Sequence, residues 1–499
     1  MRIFSPDGTL LPFPCIHSIS AIRQISRTFK KVFDVCSEDR VAEAVKGFVR
    51  TDRELSELKI PSRMDAARSI AHLAFGELVG DVVTSTPVFR HGPGAVAEKL
   101  DSVQKYEFDA ISEVIADLVG VDQFRATWSD LHDRPPRYEE SPARLVAVPK
   151  TAVKPRLISI EPAYNQFIQQ GYHTLLKERL GSIRICGYES QLPNQRLALL
   201  GSRDGSLATI DLSEASDRVH MGVVRDLFRF NPTFVRMLED TRSRSVQLPD
   251  GSVLALNKFA SMGSALTFPI EVMVFTTLVI LAVCTVEQSW SRSFVKKTMR
   301  RHDIRVYGDD IIVPTRYYPT MIQILGEFGL KVNTSKSFST GLFRESCGLD
   351  AYAGTSVTPI YARRRFPESR RDAEELISWS AFRNQFYTLH GSGAVTEFLD
   401  QMISKLIPYP QIEEGTEFGG IARLGPVKGP EHRHSPDLHR LECKAMMPVY
   451  QRRVSSARHY GKLYKALYED FNEDPNHLSH HGRPVSARLK HRWLPVRYI

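Results

Sequence analysis

The sequence has few cysteines, and none is placed for pairing. Its six (Cys15, Cys36, Cys186, Cys284, Cys347 and Cys443) are scattered, and no two stand in a Cys-x-x-Cys spacing. That argues against a disulfide-stapled secreted scaffold and against a local zinc knuckle, and reduced cytosolic thiols are expected. The first residues carry no charged-then-apolar leader, which again points to the cytoplasm. The longest uncharged apolar run covers residues 272–286 and contains Thr276, Thr277 and Thr285. It falls short of the roughly 20 residues a membrane-crossing helix needs, so a buried core helix is expected and no membrane partner. There is no internal repeat and no long low-complexity tract. Neither sign of charge dominates: 66 Lys and Arg face 57 Asp and Glu, a net of +9 over 499 residues. A surplus that small is only weak support for a polyanionic partner, so where the cations cluster matters more.

What is present is an ordinary globular composition, 42% hydrophobic and 25% charged, long enough for two or three lobes. One stretch, residues 304–313, organises the rest. Ile304 and Val306 precede a Gly-Asp-Asp centre, and Ile311 and Val313 follow it, which predicts a short β-hairpin with Asp309 and Asp310 side by side at its exposed tip. Two adjacent carboxylates repel unless a cation sits between them, and hard oxygen ligands on a turn suit Mg²⁺. An ordinary turn is the commoner use of such residues.

The remaining chain predicts mostly helix up to about residue 140, with one amphipathic stretch within 53–79 and another within 106–119, and a Gly-Pro-Gly loop at 91–98 leading into a helix. Residues 144–156 interleave Arg144, Lys150, Lys154 and Arg156 with apolar strand formers. Pro149 and Pro155 make this an edge strand or an irregular ribbon. Such a row of cations can grip a triphosphate, or simply blunt an edge against aggregation. Residues 207–210 read as a strand ending on Asp211, where a carboxylate is costly unless paired or metal-bound. A helix is expected next, with Asp217 in its first turn. Residues 245–256 predict a hairpin. Ser261, Gly263, Ser264 and Thr267 form a hydroxyl-rich loop before the apolar helix, which Glu271 heads. Further strands are expected at 329–333, 343–348 and 357–365, with a helix at 319–328. The remainder is expected to be helical in parts with a basic end: 10 Lys or Arg against 4 Asp or Glu from Gln451 onward. His477, His480 and His481 lack a companion ligand set and read as solvated loop residues.

The order of these motifs resembles the RNA-dependent RNA polymerases of the right-hand type, above all the replicase subunit of the positive-strand RNA bacteriophages, the Qβ-like leviviruses. The resemblance runs from about residue 91 to 363. Asp211-Leu-Ser-x-Ala-Ser-Asp217 is similar to that class's motif A, Ser261-Met-Gly263 with Thr267 to motif B, and Tyr307-Gly-Asp-Asp310 to motif C. Lys336 stands where motif D carries its lysine. Lys150, Lys154 and Arg156, with Glu161 and Asn165 after them, resemble motif F. A lone Gly-Asp-Asp is weak, but this ordered set is specific.

The resemblance implies an α+β fold with fingers (1–205, including the cationic ribbon 144–156), a palm (206–362, an antiparallel sheet backed by helices) and a thumb (363–499). Part of 231–258 is left open between palm and fingers. It implies that Asp211, Asp309 and Asp310 converge on two Mg²⁺ ions, with Mn²⁺ as a substitute. Asp211 and Asp309 are then the principal ligands, Asp310 a weaker or shared one, and the Leu212 carbonyl an optional donor. Lys150, Lys154 and Arg156 would neutralise the incoming nucleoside triphosphate. Asp217, Ser261, Gly263 and Thr267 would shape the sugar site, and Lys336 would serve as general acid, with Lys331 as its competitor. Many polymerases of the wider class carry Asn where this chain has Glu271, which leaves the sugar network open. By resemblance the partners are template and product RNA, host elongation factors Tu and Ts and a ribosomal RNA-binding protein, in the cytoplasm of an infected bacterium. Initiation without a primer is also implied.

Overall fold

The computed structural model describes residues 3–32, 36–107, 110–119, 137–151, 154–426, 432–457, 459–468 and 486–498. His477, His480 and His481 lie outside them.

The helix Thr267–Glu287 is the axis of the structure. It is apolar on every side, and such a helix has no solvent face to offer. It is long and apolar enough to cross a membrane by length and composition, yet 89% of its most apolar window is buried inside the protein. Around it pack the helices Met64–Thr84, Ala163–Gly181, Arg292–Met299 and Tyr318–Glu327. Their buried faces form one continuous core from Met64 to Leu330.

Against this core lies a three-stranded antiparallel sheet. Asp310–Pro314 is its middle strand, between Leu207–Ile210 and Arg305–Tyr307. Ala208, Ile210, Val306, Ile311 and Val313 face the main core. Leu207 and Ile312 face a smaller cluster with Ala198 on the helix Leu192–Asp204. Both faces are therefore covered, which is why Ile311, Ile312 and Val313 run without a polar break. The fold is thus α+β, with an antiparallel sheet backed by helices.

A second sheet joins Arg156–Ile160, Ala143–Val148, Ser245–Gln247 and Val253–Ala255 in that order. The hairpin at 245–256 forms as expected, and it pairs with the cationic ribbon rather than with the sheet of the acids. A third region holds its own core from Ile360 to Ile421, around the helices Ala373–His390 and Ala394–Ser404.

Several expectations are corrected in whole or in part. Within 53–79 the amphipathic stretch is present as the helix Met64–Thr84, buried along Ala67, Ile70, Ala71, Ala74, Phe75 and Leu78. Glu38–Ser56 and Met64–Thr84 are separate, with Pro61 in the break. In 106–119 only Glu113–Val119 is α-helical, after a short 3-10 turn at Gln104–Glu107. No helix follows the loop at 91–98. Instead Lys105 Nζ donates to the Gly92 carbonyl and holds the loop closed. The edge reading of the cationic ribbon holds in part: Arg156–Ile160, which begins at Arg156, is the outer strand of its sheet, Lys150 and Lys154 lie in the connection before it, and Ala143–Val148 meets a second partner only at Ala143 and Arg144. The strand at 329–333 shrinks to Lys331–Val332, and residues 357–365 form no strand. Strands appear instead at Leu349–Tyr352 and Thr355–Ser356. The C-terminal region is richer in strand than expected, with Arg440–Gln451 paired to Ser486–Tyr498 over ten positions. At the C-terminal sheet, pairing between segments distant along the chain overrides local pattern.

Candidate active site

The hairpin places the acids. Asp310 pairs with Tyr307, leaving Gly308 and Asp309 as a two-residue loop. Gly308 has φ +55°, and a side chain there would press on the Phe268 ring. A positive φ at the first loop position matches the twist of a tight hairpin. Asp309 is exposed at the tip, as expected. Asp310 is not: it opens the strand and is half-buried. Ile311 pairs with Ile210, so the next step of the register sets Asp211 across from Asp310. Sequence-distant acids meet because the two strands are neighbours.

Each acid has different company. The Asp211 carboxylate accepts from Asn333 Nδ2 at 2.8 Å and from Lys336 Nζ at 3.4 Å. Its backbone is clamped as well, the Asn333 N–H donating to its carbonyl and its own N–H donating to Ser337 Oγ. Asp310 Oδ1 accepts from Ser346 Oγ at 3.1 Å and from the Cys347 N–H at 3.0 Å. Asp309 has protein packed close behind it. Burial and the Asp211 charge push its carboxyl above the usual aspartate range. Burial and then Asp309 push Asp310 up to about 6, against the pull of the Cys347 N–H. Lys336 is lifted above the ordinary lysine range. Burial alone would lower it, but the Asp211 and Glu345 carboxylates outweigh that. Lys331 sits instead on the exposed side of its strand, near Glu54.

The cationic ribbon faces the same acids. Lys150 is pushed down by burial and by the neighbouring Arg156 and Lys336 charges, while Asp309 and Asp211 pull it back up. Lys150, Arg156, Lys336 and the acids therefore share one electrostatic environment. Lys154 lies in the exposed turn, its backbone bonded to Thr151.

The hydroxyl-rich loop is tied to the ribbon. The Ser159 N–H donates to the Met262 carbonyl at 2.8 Å. Gly263 has φ +131°, and a Cβ there would stand 2.0 Å from the Ser159 carbonyl oxygen, so only glycine fits. Ser261 Oγ donates to Asp217 at 3.0 Å, and Thr267 Oγ1 donates to the Ser261 carbonyl at 2.8 Å. Thr267 thus braces the loop from behind. Asp217 lies in a 3-10 turn, Ser216–Arg218, and not in the first turn of the helix Met221–Phe228. A buried charge cluster, not a helix terminus, holds it. Glu271 is buried beneath the site and pushed well above the usual range by burial, Asp309 and Asp217.

Sequence reasoning missed Asn333, Ser337 and Ser346, the residues that orient Asp211 and Asp310. It also missed Lys258 and Asp52 behind Asp217. Asn333 stood close enough to Lys336 to be suspected. The others carry no local signal.

Close carboxylate oxygens that repel one another suit a hard divalent cation. Among the described residues no three His, Cys, Asp or Glu side chains close into a metal-holding group. Asp310 is turned onto Ser346 and the Cys347 N–H, which leaves Asp211 and Asp309. Two carboxylates completed by substrate phosphates are a normal complement for Mg²⁺, so the residues fit.

This chain is 39% identical over 224 residues to the RNA-directed RNA polymerase subunit beta of Escherichia virus Qbeta, covering 44% of this chain and 35% of the relative. It is 36% identical over 240 residues to the RNA-directed RNA polymerase beta chain of Escherichia phage MS2, covering 46% and 40%. The matched segments thus span little more than a third of those relatives' lengths. Among solved structures, the RNA-dependent RNA polymerase of a human picorbirnavirus aligns over 78% of each chain with TM-score 0.46 and 11% identity. A family model described as RNA replicase, beta-chain matches residues 48–372, a span that holds every acid and cation of the site, and the chain belongs to that family.

Proposed function

We propose that this chain is an RNA-dependent RNA polymerase that copies a positive-strand phage genome by template-directed nucleotidyl transfer. The observation that carries the reading is the meeting of Asp211 and Asp309 with Lys336, opposite Lys150 and Arg156. Acids that repel one another across from a cationic ribbon suit a metal-bound triphosphate.

Asp211 and Asp309 would hold Mg²⁺, with Asp310 shared or weaker and Mn²⁺ able to replace it. When bound, the two ions supply charge to the attacking 3′-oxygen and to the leaving pyrophosphate. The protein's own groups do the rest. Asn333 and Ser337 keep Asp211 aimed, and Ser346 keeps Asp310 aimed. Lys150, Lys154 and Arg156 neutralise the triphosphate and set its in-line approach. Lys336 is protonated at neutral pH, because carboxylates surround it, and so can give a proton to the pyrophosphate as it departs. Asp217 and Ser261 face the sugar, and Thr267 and Gly263 set their loop. In this reading residues 1–205 are fingers, 206–362 palm and 363–499 thumb. The pairing of 245–255 with the ribbon favours assigning that hairpin to the fingers.

Initiation without a primer, work in the cytoplasm of an infected bacterium, and help from elongation factors Tu and Ts and a ribosomal RNA-binding protein complete the proposal. The test is an RNA-copying assay on the purified chain, with and without host lysate, with and without Mg²⁺. Mg²⁺-dependent incorporation of ribonucleotides complementary to the template is expected. Preferential incorporation of deoxyribonucleotides would overturn it.

A further inference from the structure

Behind the sugar-facing loop lies a buried charge cluster that the reaction scheme does not use. Lys258 has no exposed surface at all. Its ammonium stands 3.2 Å from Asp217 Oδ1 and 3.7 Å from Asp52 Oδ1, and it rests over the Phe48 ring at 3.5 Å from the centroid. Asp52 is equally buried and comes from a distant helix, Glu38–Ser56. Its carboxylate is pinned by the Asn257 N–H, by Asn257 Nδ2 at 3.0 Å and by the Lys258 N–H. Of the three charged groups only Asp217 reaches the opening, its side chain 22% exposed.

Burying an ammonium costs several kcal/mol unless well-placed anions compensate, and an apolar side chain of similar volume would often do as well for stability. What an apolar residue would not do is fix Asp217. With Lys258 and Ser261 both donating to Oδ1, the carboxylate is held by two fixed points. Oδ2 is then the oxygen left to accept from a substrate hydroxyl. A site that reads a hydroxyl depends on the alignment of its acceptor, because hydrogen bonds weaken steeply off axis. Phe48, one turn before Asp52 on the same helix, adds a cation–π contact that further fixes the ammonium.

We infer that Asp52 and Lys258 form a positioning pair for Asp217, and through it set how strictly the site separates a ribonucleotide from its 2′-deoxy counterpart. This rests on the polymerase reading above. Neither residue touches substrate. The helix Glu38–Ser56 thereby acts on sugar selection from outside the site.

The test uses the full chain in the assembly that copies RNA. The readout is kcat/KM for one ribonucleoside triphosphate and for its 2′-deoxy counterpart on one RNA template. Asp217→Ala examines the underlying reading and is expected to collapse the ratio. If it leaves the ratio intact, Asp217 does not read the sugar, and both the site reading and the inference fail. Lys258→Met with Asp52→Asn removes the pair without stranding a buried charge on Asp52. It is expected to lower the ratio about tenfold while kcat for the ribonucleotide stays within about twofold, roughly the effect of one misaligned hydrogen bond. Asp52→Asn alone loosens the ammonium and is expected to lower the ratio about threefold. Circular dichroism melts establish that each variant is folded, and if the double variant is not, Asp52→Asn decides. A purely structural pair would shift the melt and leave the ratio alone. A folded variant that keeps the parental ratio while Asp217→Ala loses it overturns the inference and leaves the site reading standing.

Discussion

Two groups of charged residues stand within a few side chains of each other, and they are built on opposite plans. The cluster around Asp211, Asp309 and Asp310 reaches solvent and is electrostatically unfinished: burial and the neighbouring carboxylates push Asp309 and Asp310 up, with Lys336 at the rim. The cluster around Asp52 and Lys258 is dry and closed, its ammonium held between two carboxylates. Mutual repulsion in the first leaves room for an incoming cation and phosphate. Tight pairing in the second leaves room for nothing, so its value is rigidity. Charge count alone does not separate a reaction centre from its support, but whether the charges are already satisfied does.

The largest expected effect breaks the open cluster. Asp309→Asn should abolish RNA synthesis, by more than about a thousandfold or ~4 kcal/mol in barrier, because it removes a charge the metal chemistry requires. RNA binding and thermal stability should hold, since folding gains nothing from a repelled carboxylate. Near-normal turnover would sink the site assignment.

Breaking the closed cluster should do the reverse. Lys258→Met leaves Asp52 and Asp217 buried or half-buried without their cation and should destabilise the fold by about 3–5 kcal/mol, read as a lowered denaturant midpoint. A small shift would mean water reaches the pair.

Lys336→Met tests the boundary between the two plans. It should slow synthesis by about 10²-fold, the usual contribution of a positioned general acid, with little change in the melting curve. Single-turnover incorporation distinguishes this from weakened nucleotide binding.

Burial without charge balance has its own pH signature, and His91 provides the contrast. Burial, and then the Lys105 charge, push its pKa down to about 3. The unfolded chain therefore binds a proton near pH 6.5 that the folded chain refuses until about 3. Stability is full above 6.5 and is lost as pH falls through that window, by about 2 kcal/mol at pH 5. His91→Gln should flatten that part of the stability–pH curve. An unchanged curve would show that the ring is hydrated.

The smallest effect belongs to Lys331→Met. Lys331 is exposed on the strand before Lys336, and its loss should change neither stability by more than about 0.5 kcal/mol nor copying rate. A marked rate loss would move the general-acid role to it.

Much of the site was legible in the sequence. The Gly-Asp-Asp hairpin reads from two apolar pairs about a turn, and the hairpin is present, with Gly308 and Asp309 as its loop and Asp310 already in the strand. Leu207–Ile210 reads as a strand that ends on an unexplained acid, and it is the hairpin's neighbour. The core helix reads from an apolar surface on all sides. Other features were not legible. Asp217 looked like a helix-start acid because Val223, Val224, Leu227 and Phe228 follow at helical spacing, yet the chain makes a 3-10 turn first. The ribbon read as an edge, and Arg156–Ile160 is the outer strand of its sheet, but the pairing of Ala143 and Arg144 with Ser245–Gln247, far along the chain, left no local mark.

The sequence by itself determined which short segments could form, and which acids, cations and hydroxyls were available to them. Periodicity, turn residues and the expense of a strand-end carboxylate are local, so they survive in one dimension. The tertiary structure alone decided which charges are satisfied. Asp310 is turned onto Ser346 and the Cys347 N–H, while Asp309 is left facing the opening. Lys258, unmarked in the sequence, is sealed between Asp52 and Asp217. Electrostatic energy depends on distance and on exclusion of water, and neither exists until distant segments pack.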